Sequence, residues 1–305
     1  MDIRQIRHFV AVAEELHFGR AAERLGMTQP PLSQSIQALE ADLGLTLFER
    51  TRRSVMLTPV GQEWLPHARR VLEEANALPQ VAQRLSRGEV GTIRLSFISF
   101  VSYSFLPALV RRFKERFPEV ELVLHEATSD VQIAELLEGK LDAGIIITPP
   151  RGALHSPLRY RAIERDKLVV AVPEEWVISG HVVPRGGKLD FHALCDLPVI
   201  LFPRQSAPAL HDLVTRYFAE RDAVPVAGQQ AVQMQTIINL VSAGLGIAFV
   251  PSTMRRLVRP GVAYFRVAEK QPEIEIGFAW RSANASAALH HLADIIVEMF
   301  PAHGA

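Results

Sequence analysis

The 305-residue chain is 48% hydrophobic and 22% charged, which predicts about two folded domains with sizeable cores. Its 33 basic and 33 acidic residues balance, which excludes a protein that binds polyanions through its bulk charge. The lone Cys195 excludes an intrachain disulfide, and no apolar run approaches the ~20 residues of a membrane span, so we predict a cytoplasmic protein without membrane contact.

Three helical patterns open the chain. The first covers residues 3–16, and a pair of glutamates interrupts its apolar run, which argues against a signal peptide. The second covers residues 19–26 and ends at Gly26. The third covers residues 28–44 and begins with Thr-Gln-Pro-Pro, because prolines are tolerated in a first helical turn and Thr28 can cap it.

The third helix has two unlike faces. Its apolar side chains recur at i, i+4, i+7 and i+11 and form one stripe of Leu32, Ile36, Leu39 and Leu43. The opposite face carries short polar side chains instead of the Lys and Glu of an ordinary solvated face. This order matches the helix-turn-helix arrangement, in which a short helix and a tight turn precede a second helix with such a face. The alternative is that the polar face is an ordinary solvated helix face.

A short hairpin is predicted after the third helix. Residues 45–48 and 55–58 read as two strands around the arginine-rich turn at 49–54. A hairpin beside a recognition helix is a wing, so residues 1–58 are predicted to form a winged helix-turn-helix domain.

A long helix is predicted over residues 59–88. Apolar residues recur there at alternating spacings of four and three, which is a heptad seam made of Trp64, Ala68, Val71, Ala75, Leu78, Ala82 and Leu85. The seam predicts a partner helix and hence self-association, and the alternative is an amphipathic helix packed on its own domain. Pro79 is expected to kink or break the helix, and Pro66 also weakens it.

The pattern changes after a linker at residues 86–91. Strands and helices then alternate, which predicts an α/β domain with largely parallel sheets over residues 89–305. The predicted strands are 92–98, 120–126, 142–148, 167–172, 198–202, 246–250 and 274–280, and the predicted helices are 105–117, 130–139, 208–221, 232–243 and 285–299. Ligands of such folds bind beyond the carboxyl ends of the strands.

Hydroxyl side chains stand at two predicted strand-to-helix junctions. Ser99 and Ser102 follow the first strand of this domain, and Thr128 and Ser129 follow the second. Hydroxyls together with the free N–H groups of a helix start form an anion cradle. The alternative is that these residues only cap their helices.

The motifs AAERL, TQPPLSQSIQALEADLG, LFERT and LTPVG, in this order, resemble the LysR-type transcriptional regulators. FLPALVRRFKERFPEVELVLHE, LLEGKLDAGI, LVVAVP and LVSAGLGIAFVP extend the resemblance over essentially the whole chain. It implies a winged helix-turn-helix domain, a linker helix and a domain similar to a periplasmic solute-binding protein. That last domain would comprise one α/β subdomain of about 89–162 with 268–305 and a second of about 163–267.

The resemblance implies contacts to double-stranded DNA. The side chains expected to contact it are Thr28, Gln29, Pro30, Ser33, Gln34 and Gln37 from the recognition helix, and Arg50, Arg52 and Arg53 from the wing. Many relatives carry Arg at the position of Gln34, so the preferred base there is expected to differ.

The resemblance also implies a small-molecule effector between the two subdomains, and no cofactor or metal. The expected effector-binding residues are Ser99, Phe100, Ser102, Thr128, Ser129, Phe202, Arg204, Gln205, Gln233 and Phe249. Ile147 stands where some relatives have a polar or basic residue, which favours an effector with one carboxylate and apolar bulk. The QPPLS variant is similar to the branch that senses aromatic-ring breakdown acids such as muconate.

An enzyme is the competing class. Gly244 and Gly246 form a GxG at a helix-to-strand turn, which is the wrong context for dinucleotide binding, and the two glycines are expected to end the helix and form a tight turn. No GxSxG, HExxH or Walker loop occurs, so we predict no enzyme activity. A stand-alone solute-binding protein is disfavoured by the first 90 residues. A regulator that responds to no small molecule stays open.

The resemblance further implies a homodimer and then a homotetramer, with RNA polymerase as a possible further partner. Effector binding would change the closure of the two subdomains and so the spacing of the DNA-binding heads. Activation and repression both stay open.

Overall fold

The computed structural model describes residues 1–51, 54–148, 157–284 and 286–301. The chain divides into two compact units, residues 1–83 and 84–305. Among the described residues, none of the helices combines the length and the apolarity that crossing a membrane requires.

The first unit begins with three packed helices, namely α1 (Ile3–Glu15), α2 (Phe18–Arg24) and α3 (Gln29–Leu43). Asp2 starts α1 through a capping box, because its carboxylate accepts from the N–H of Gln5 and its own N–H donates to the Gln5 side chain. Rings of Phe9 and Phe48 fill the core, with centroids 5.4 Å apart.

The wing follows as an antiparallel pair of strands, β1 (Phe48–Arg50) and β2 (Val55–Leu57). The strand expected at 45–48 was wrongly placed, since β1 begins only at Phe48. The cause is Glu40 of α3, whose carboxylate accepts hydrogen bonds from the N–H groups of Leu47 and Phe48 and so holds this segment against the helix.

Helix α4 (Pro59–Ser86) is continuous through both of its prolines. The expected break at Pro79 is therefore wrong, and the alternative that Pro79 kinks the helix stays a prediction. Thr58 caps the start of α4 by accepting from the N–H of Gly61 at 3.0 Å. Gly61 is required there, because a Cβ atom would lie 2.3 Å from the carbonyl oxygen of Leu47.

The heptad seam of α4 has two parts with different environments. Trp64 packs on Phe9 at 4.6 Å between ring centroids, and Ala68 is 2% exposed, so both belong to the core of the first unit. Their assignment to a partner helix is corrected, and the alternative of packing on the chain's own domain holds for them. Val71, Leu78 and Leu85 are 45%, 63% and 51% exposed in the single chain.

The second unit alternates strands and helices. Its elements in chain order are β3 (Gly91–Phe97), α5 (Leu106–Arg116), β4 (Val120–Glu126), α6 (Ser129–Glu138), β5 (Ala143–Ile147), β6 (Leu158–Pro173), α7 (Glu174–Ile178), β7 (Lys188–Leu189), β8 (Pro198–Leu201), α8 (Pro208–Ala219), β9 (Val226–Gln230), α9 (Met234–Ser242), β10 (Ala248–Pro251), β11 (Val262–Val267), β12 (Glu273–Arg281) and α10 (Ala287–Met299). Short 3-10 helices lie at Ser99–Tyr103, His192–Leu194 and Ser252–Arg256.

The sheets of this unit are mixed, which corrects the expectation of largely parallel pairing. Strands β4, β3 and β5 pair in parallel, but β12 pairs antiparallel with both β5 and β6. Strands β10 and β11 are also antiparallel to β6. The returning strand β12 inserts between elements that follow one another in sequence, which no local pattern shows.

Strand β6 joins the two halves of the second unit. Its residues up to Lys167 pair with β12, and those from Leu168 onward pair with β10 and β11. We call the α/β layer around β3, β4 and β5 the first lobe and the layer around β8, β9 and β10 the second lobe. Asp166 fixes this passage, because its buried carboxylate accepts from the N–H and the hydroxyl of both Ser252 and Thr253.

The GxG turn has the structural role expected of it. Gly244, with φ of +78°, follows the end of α9, and its N–H donates to the carbonyl of Val241. Gly246 has φ of +145°, and a Cβ atom there would lie 2.3 Å from the carbonyl oxygen of Pro198.

Candidate functional site

Helix α3 presents a polar surface because its apolar stripe is fully used. Leu32, Ile36 and Leu39 are 0% exposed, which fixes the rotation of the helix about its axis. The side chains turned outward as a consequence are those of Gln29, Pro30, Gln34 and Gln37, with Ser33 half-buried. Thr28 is the N-cap residue, but its side chain makes no capping hydrogen bond, so its hydroxyl is also available to a partner.

Two contacts hold α3 at its position. Ser35 Oγ lies 2.8 Å from Nδ1 of His8 on α1. Burial lowers the pKa of His8, with smaller opposing and reinforcing effects from neighbouring charges, so the neutral ring is favoured in the folded unit. Glu40, near the other end of α3, holds the wing through the two backbone bonds described above.

Arg50 is engaged within the first unit. Its guanidinium donates to Glu40 Oε2 at 2.7 Å and lies over the ring of Phe18 at 4.9 Å. In this structure Arg50 therefore holds the wing against α3, and its expected contact with DNA stays a prediction. Arg52 and Arg53, the other expected wing contacts, lie outside the described residues.

One cavity of about 310 Å³ lies between the two lobes of the second unit. Six of the ten expected effector-binding residues line it, namely Ser99, Phe100, Thr128, Ser129, Phe202 and Gln233. These come from four segments that are distant in the chain. Ile147, singled out for its apolar side chain, lines the cavity too.

The other four expected residues do not line this cavity. Phe249 is 1% exposed and packs against Tyr217 at 5.6 Å between ring centroids, so it belongs to the core of the second lobe. Ser102 donates its hydroxyl to the carbonyl of Ser99 at 2.5 Å. Arg204 pairs with Asp212 at 2.9 Å, and Gln205 is exposed beside it. The assignment of Phe249 is corrected by its burial, whereas the roles expected of Ser102, Arg204 and Gln205 stay predictions.

Helix starts surround the cavity. The first residues of α6, α8 and α9 all lie in its wall. Free N–H groups and the positive end of the helix dipole favour an anion at such positions. Thr128 is the N-cap of α6 but makes no side-chain capping bond, which argues against the alternative that it serves only as a cap. Ser129 accepts from the N–H of Ile147 at 3.0 Å and can still donate its hydroxyl proton.

The wall also contains three carboxylates that sequence reasoning missed, those of Glu126, Asp130 and Asp212. Among the described lining residues there is no lysine, arginine or histidine. Oδ1 of Asp130 is buried and has no hydrogen-bond partner in the described part of the chain, whereas Asp212 is paired with Arg204. Asp130 lies in the first turn of α6, and this position after a strand was the available signal. Pro208 was a second available signal, because a proline at this position marks the start of helix α8, which also lies in the cavity wall.

Two family models together match most of the chain. Residues 3–62 match "Bacterial regulatory helix-turn-helix protein, lysR family", and residues 86–301 match "LysR substrate binding domain". The chain belongs to the LysR family. It therefore has a DNA-binding unit and an effector-binding unit, and it is a transcriptional regulator and not an enzyme.

Individual relatives cover the chain from end to end. The HTH-type transcriptional regulator IlvR of Caulobacter vibrioides is 52% identical over 98% of both chains. The HTH-type transcriptional regulator AlsR of Bacillus subtilis is 36% identical over 97% of this chain and 95% of its own. The crystal structure of full-length CbnR complexed with its target DNA is similar, with a TM-score of 0.69, 28% identity, and 98% and 99% coverage.

Proposed function

We propose that this LysR-family regulator changes its interaction with DNA when a small carboxylic acid that also carries an amino or hydroxyl group binds in the cavity between the lobes. The observation that carries the proposal is the convergence of six expected residues and three helix starts on that one cavity. Because the partner is chromosomal DNA, we place the protein in the cytoplasm.

On the DNA side, we propose that the outward side chains of α3 enter a major groove. Gln34 and Gln37 have the amide geometry that pairs with adenine, and the edge of Pro30 fits a thymine methyl group. Thr28, Gln29 and Ser33 would contact the backbone or neighbouring base edges. Support comes from the burial of the opposite stripe and from the structure of CbnR with its target DNA, a protein 28% identical to this chain.

On the effector side, the chemistry of the wall selects two groups on one ligand. A carboxylate would accept from the N–H groups of the helix starts and from the hydroxyls of Ser99 and Thr128. Asp130 would repel that carboxylate, and its unpaired Oδ1, when ionised, can only accept a hydrogen bond. The ligand therefore also needs a hydrogen-bond donor that faces Asp130. An amino acid or a hydroxy acid with an apolar side chain satisfies both demands.

The oligomer is also part of the proposal. We propose that the exposed seam residues Val71, Leu78 and Leu85 pair α4 with the same helix of a second copy. Two such dimers would then associate into a tetramer. RNA polymerase is the further partner that such a regulator would contact at its promoters.

A ligand series tests the effector proposal with the full chain. The compounds are 2-aminopentanoic acid, 2-hydroxypentanoic acid, pentanoic acid and pentylamine, and the measurement is the midpoint of thermal unfolding. We expect the amino acid and the hydroxy acid to raise the midpoint, pentanoic acid to raise it less, and pentylamine to leave it unchanged. A footprint on the DNA upstream of the gene should then shift or shorten with the active compounds.

Gln233 and Gln205 provide a matched pair of variants, since the first lines the cavity and the second does not. Gln233→Ala should weaken the ligand response several-fold, and Gln205→Ala should not change it. Equal responses in both variants, or none to any carboxylate, would contradict the effector site. A footprint that responds to no compound would instead support the regulator without effector.

A further inference from the structure

A second cavity lies in the second lobe, away from the effector cavity. Its volume is about 620 Å³, which is within the range of metabolite pockets. It is formed by the end of α8, by β7 and β11, by Lys167 of β6, by the segment 268–272 between β11 and β12, and by Glu273 of β12. It shares no lining residue with the effector cavity.

The rim of this cavity is strongly basic. Five of its cations make no ion pair within the described part of the chain, namely Lys167, Lys188, Arg216, Arg266 and Lys270. Two of the three acids in the wall are already near a cation, since Glu220 lies 3.9 Å from Arg221 and Glu273 lies 3.8 Å from Arg165. The concave surface therefore has a positive potential that concentrates anions.

Cations at a helix end can serve only to complement the helix dipole. That explanation covers Arg216 in the last turn of α8. It does not cover Lys188 or Arg266, which come from the parallel strands β7 and β11, where they are directly opposite in register. Two like charges directly opposite on adjacent strands repel each other, and a bound anion between them would remove that repulsion.

The wall of the cavity holds buried polar atoms without partners among the described residues. Tyr217 is 3% exposed and its hydroxyl makes no hydrogen bond there, although its ring is packed under the guanidinium of Arg221 at 3.9 Å. Oε2 of Glu269 and Nε2 of Gln271 are buried and unpaired as well. An unpaired buried polar atom is costly, and a hydroxyl-bearing guest that accepts from Tyr217 and Gln271 and donates to Glu269 would relieve that cost.

We propose that this cavity binds a phosphorylated, hydroxyl-bearing metabolite of sugar-phosphate size, with the phosphate on the basic rim and the hydroxyls on Tyr217, Glu269 and Gln271. The regulator then receives a second chemical input, independent of the ligand between its lobes. Burial raises the pKa of Tyr217 to about 12, so its hydroxyl keeps its proton and acts as a donor at neutral pH.

The test uses the full chain with glycerol 3-phosphate as the probe, and with inorganic phosphate, glycerol, and sodium chloride of equal ionic strength as comparisons. The midpoint of thermal unfolding should rise most with glycerol 3-phosphate, less with phosphate, and not with glycerol or chloride. Arg266→Gln should reduce the apparent affinity for both phosphates at least tenfold. Arg159→Gln is the matched control, because Arg159 is also an exposed strand arginine without an ion pair to the described residues, but it does not line the cavity.

The Tyr217→Phe variant separates the contribution of the wall to hydroxyl recognition from the contribution of the basic rim to phosphate binding. It should remove the preference for glycerol 3-phosphate over phosphate while leaving the response to phosphate. Equal responses of the Arg266→Gln and Arg159→Gln proteins would overturn the proposal, since the phosphate would then bind elsewhere, for example at the helix starts of the effector cavity. A chloride response equal to that of the phosphates would overturn it too.

Discussion

The recognition surface and the effector cavity are built in opposite ways. The recognition surface is one continuous segment, in which a buried stripe of leucine and isoleucine turns the polar side chains of α3 outward. The cavity is assembled from six segments that are distant in the chain, most of them at the end of a strand or the start of a helix. A surface of the first kind depends on local periodicity, whereas one of the second kind depends on how a sheet brings chain segments together.

The largest expected effect tests whether the N-terminal half of α4 is part of the first unit, whose core positions the recognition surface. Trp64→Ala should destabilise the first unit by about 3 kcal/mol, because the ring packs on Phe9 in its core. Leu78→Asp is the contrasting change and should leave unfolding of that unit nearly unchanged, yet convert the protein to monomers. Thermal unfolding and sedimentation measure the two effects, and an intact oligomer in Leu78→Asp would contradict the proposed pairing.

The next effect sharpens the assignment of α3. Gln37→Ala should cost about 1–3 kcal/mol of DNA-binding free energy at one base position and relax the preference there. Binding to operators with single substitutions, followed by fluorescence anisotropy, measures it. If the loss were the same for every sequence, Gln37 would contact the DNA backbone instead.

A substitution of Arg50 tests whether this side chain holds the wing against α3 or contacts the DNA. Arg50→Gln should reduce the stability of the first unit by about 1 kcal/mol, since it breaks the partly buried pair with Glu40. The slope of log affinity against log salt should not change, whereas an arginine that neutralises one phosphate accounts for about 0.9 of that slope. A shallower slope in Arg50→Gln would show that the arginine leaves Glu40 when DNA binds.

The smallest expected effect is a pH dependence of the first unit. Because the pKa of His8 is lowered in the folded state, its contribution to stability is present above the unfolded value of about 6.5 and is lost as the pH falls through the folded value. The unfolding midpoint of the first unit should therefore fall slightly more between pH 7 and 5 in the wild type than in His8→Asn. Parallel curves would assign that pH dependence to other groups.

Much of the recognition unit was predictable from its sequence. The stripe of Leu32, Ile36 and Leu39, the Pro-rich start of α3 and the wing follow from spacings of a few residues, so the fold class and the helix-turn-helix were predicted correctly. Glu40 shows the limit even there. Nothing local indicated that its carboxylate would hold Leu47 and Arg50 and so move the start of β1.

The sequence by itself determined most helices of the second unit, seven of its strands, its hydroxyl-bearing junctions and its membership of the LysR family. It missed the strands β7, β9 and β11 and the short helix α7. Only the tertiary structure decided the mixed sheet, the passage of β6 between lobes, and which residues meet in each cavity. Phe249 and Asp130 illustrate why. Whether a side chain points into a core or a cavity depends on the pairing of strands that are distant in the chain. The carboxylate of Asp130 and the hydroxyl of Tyr217 become informative only in the packed structure, where neither has a partner among the described residues.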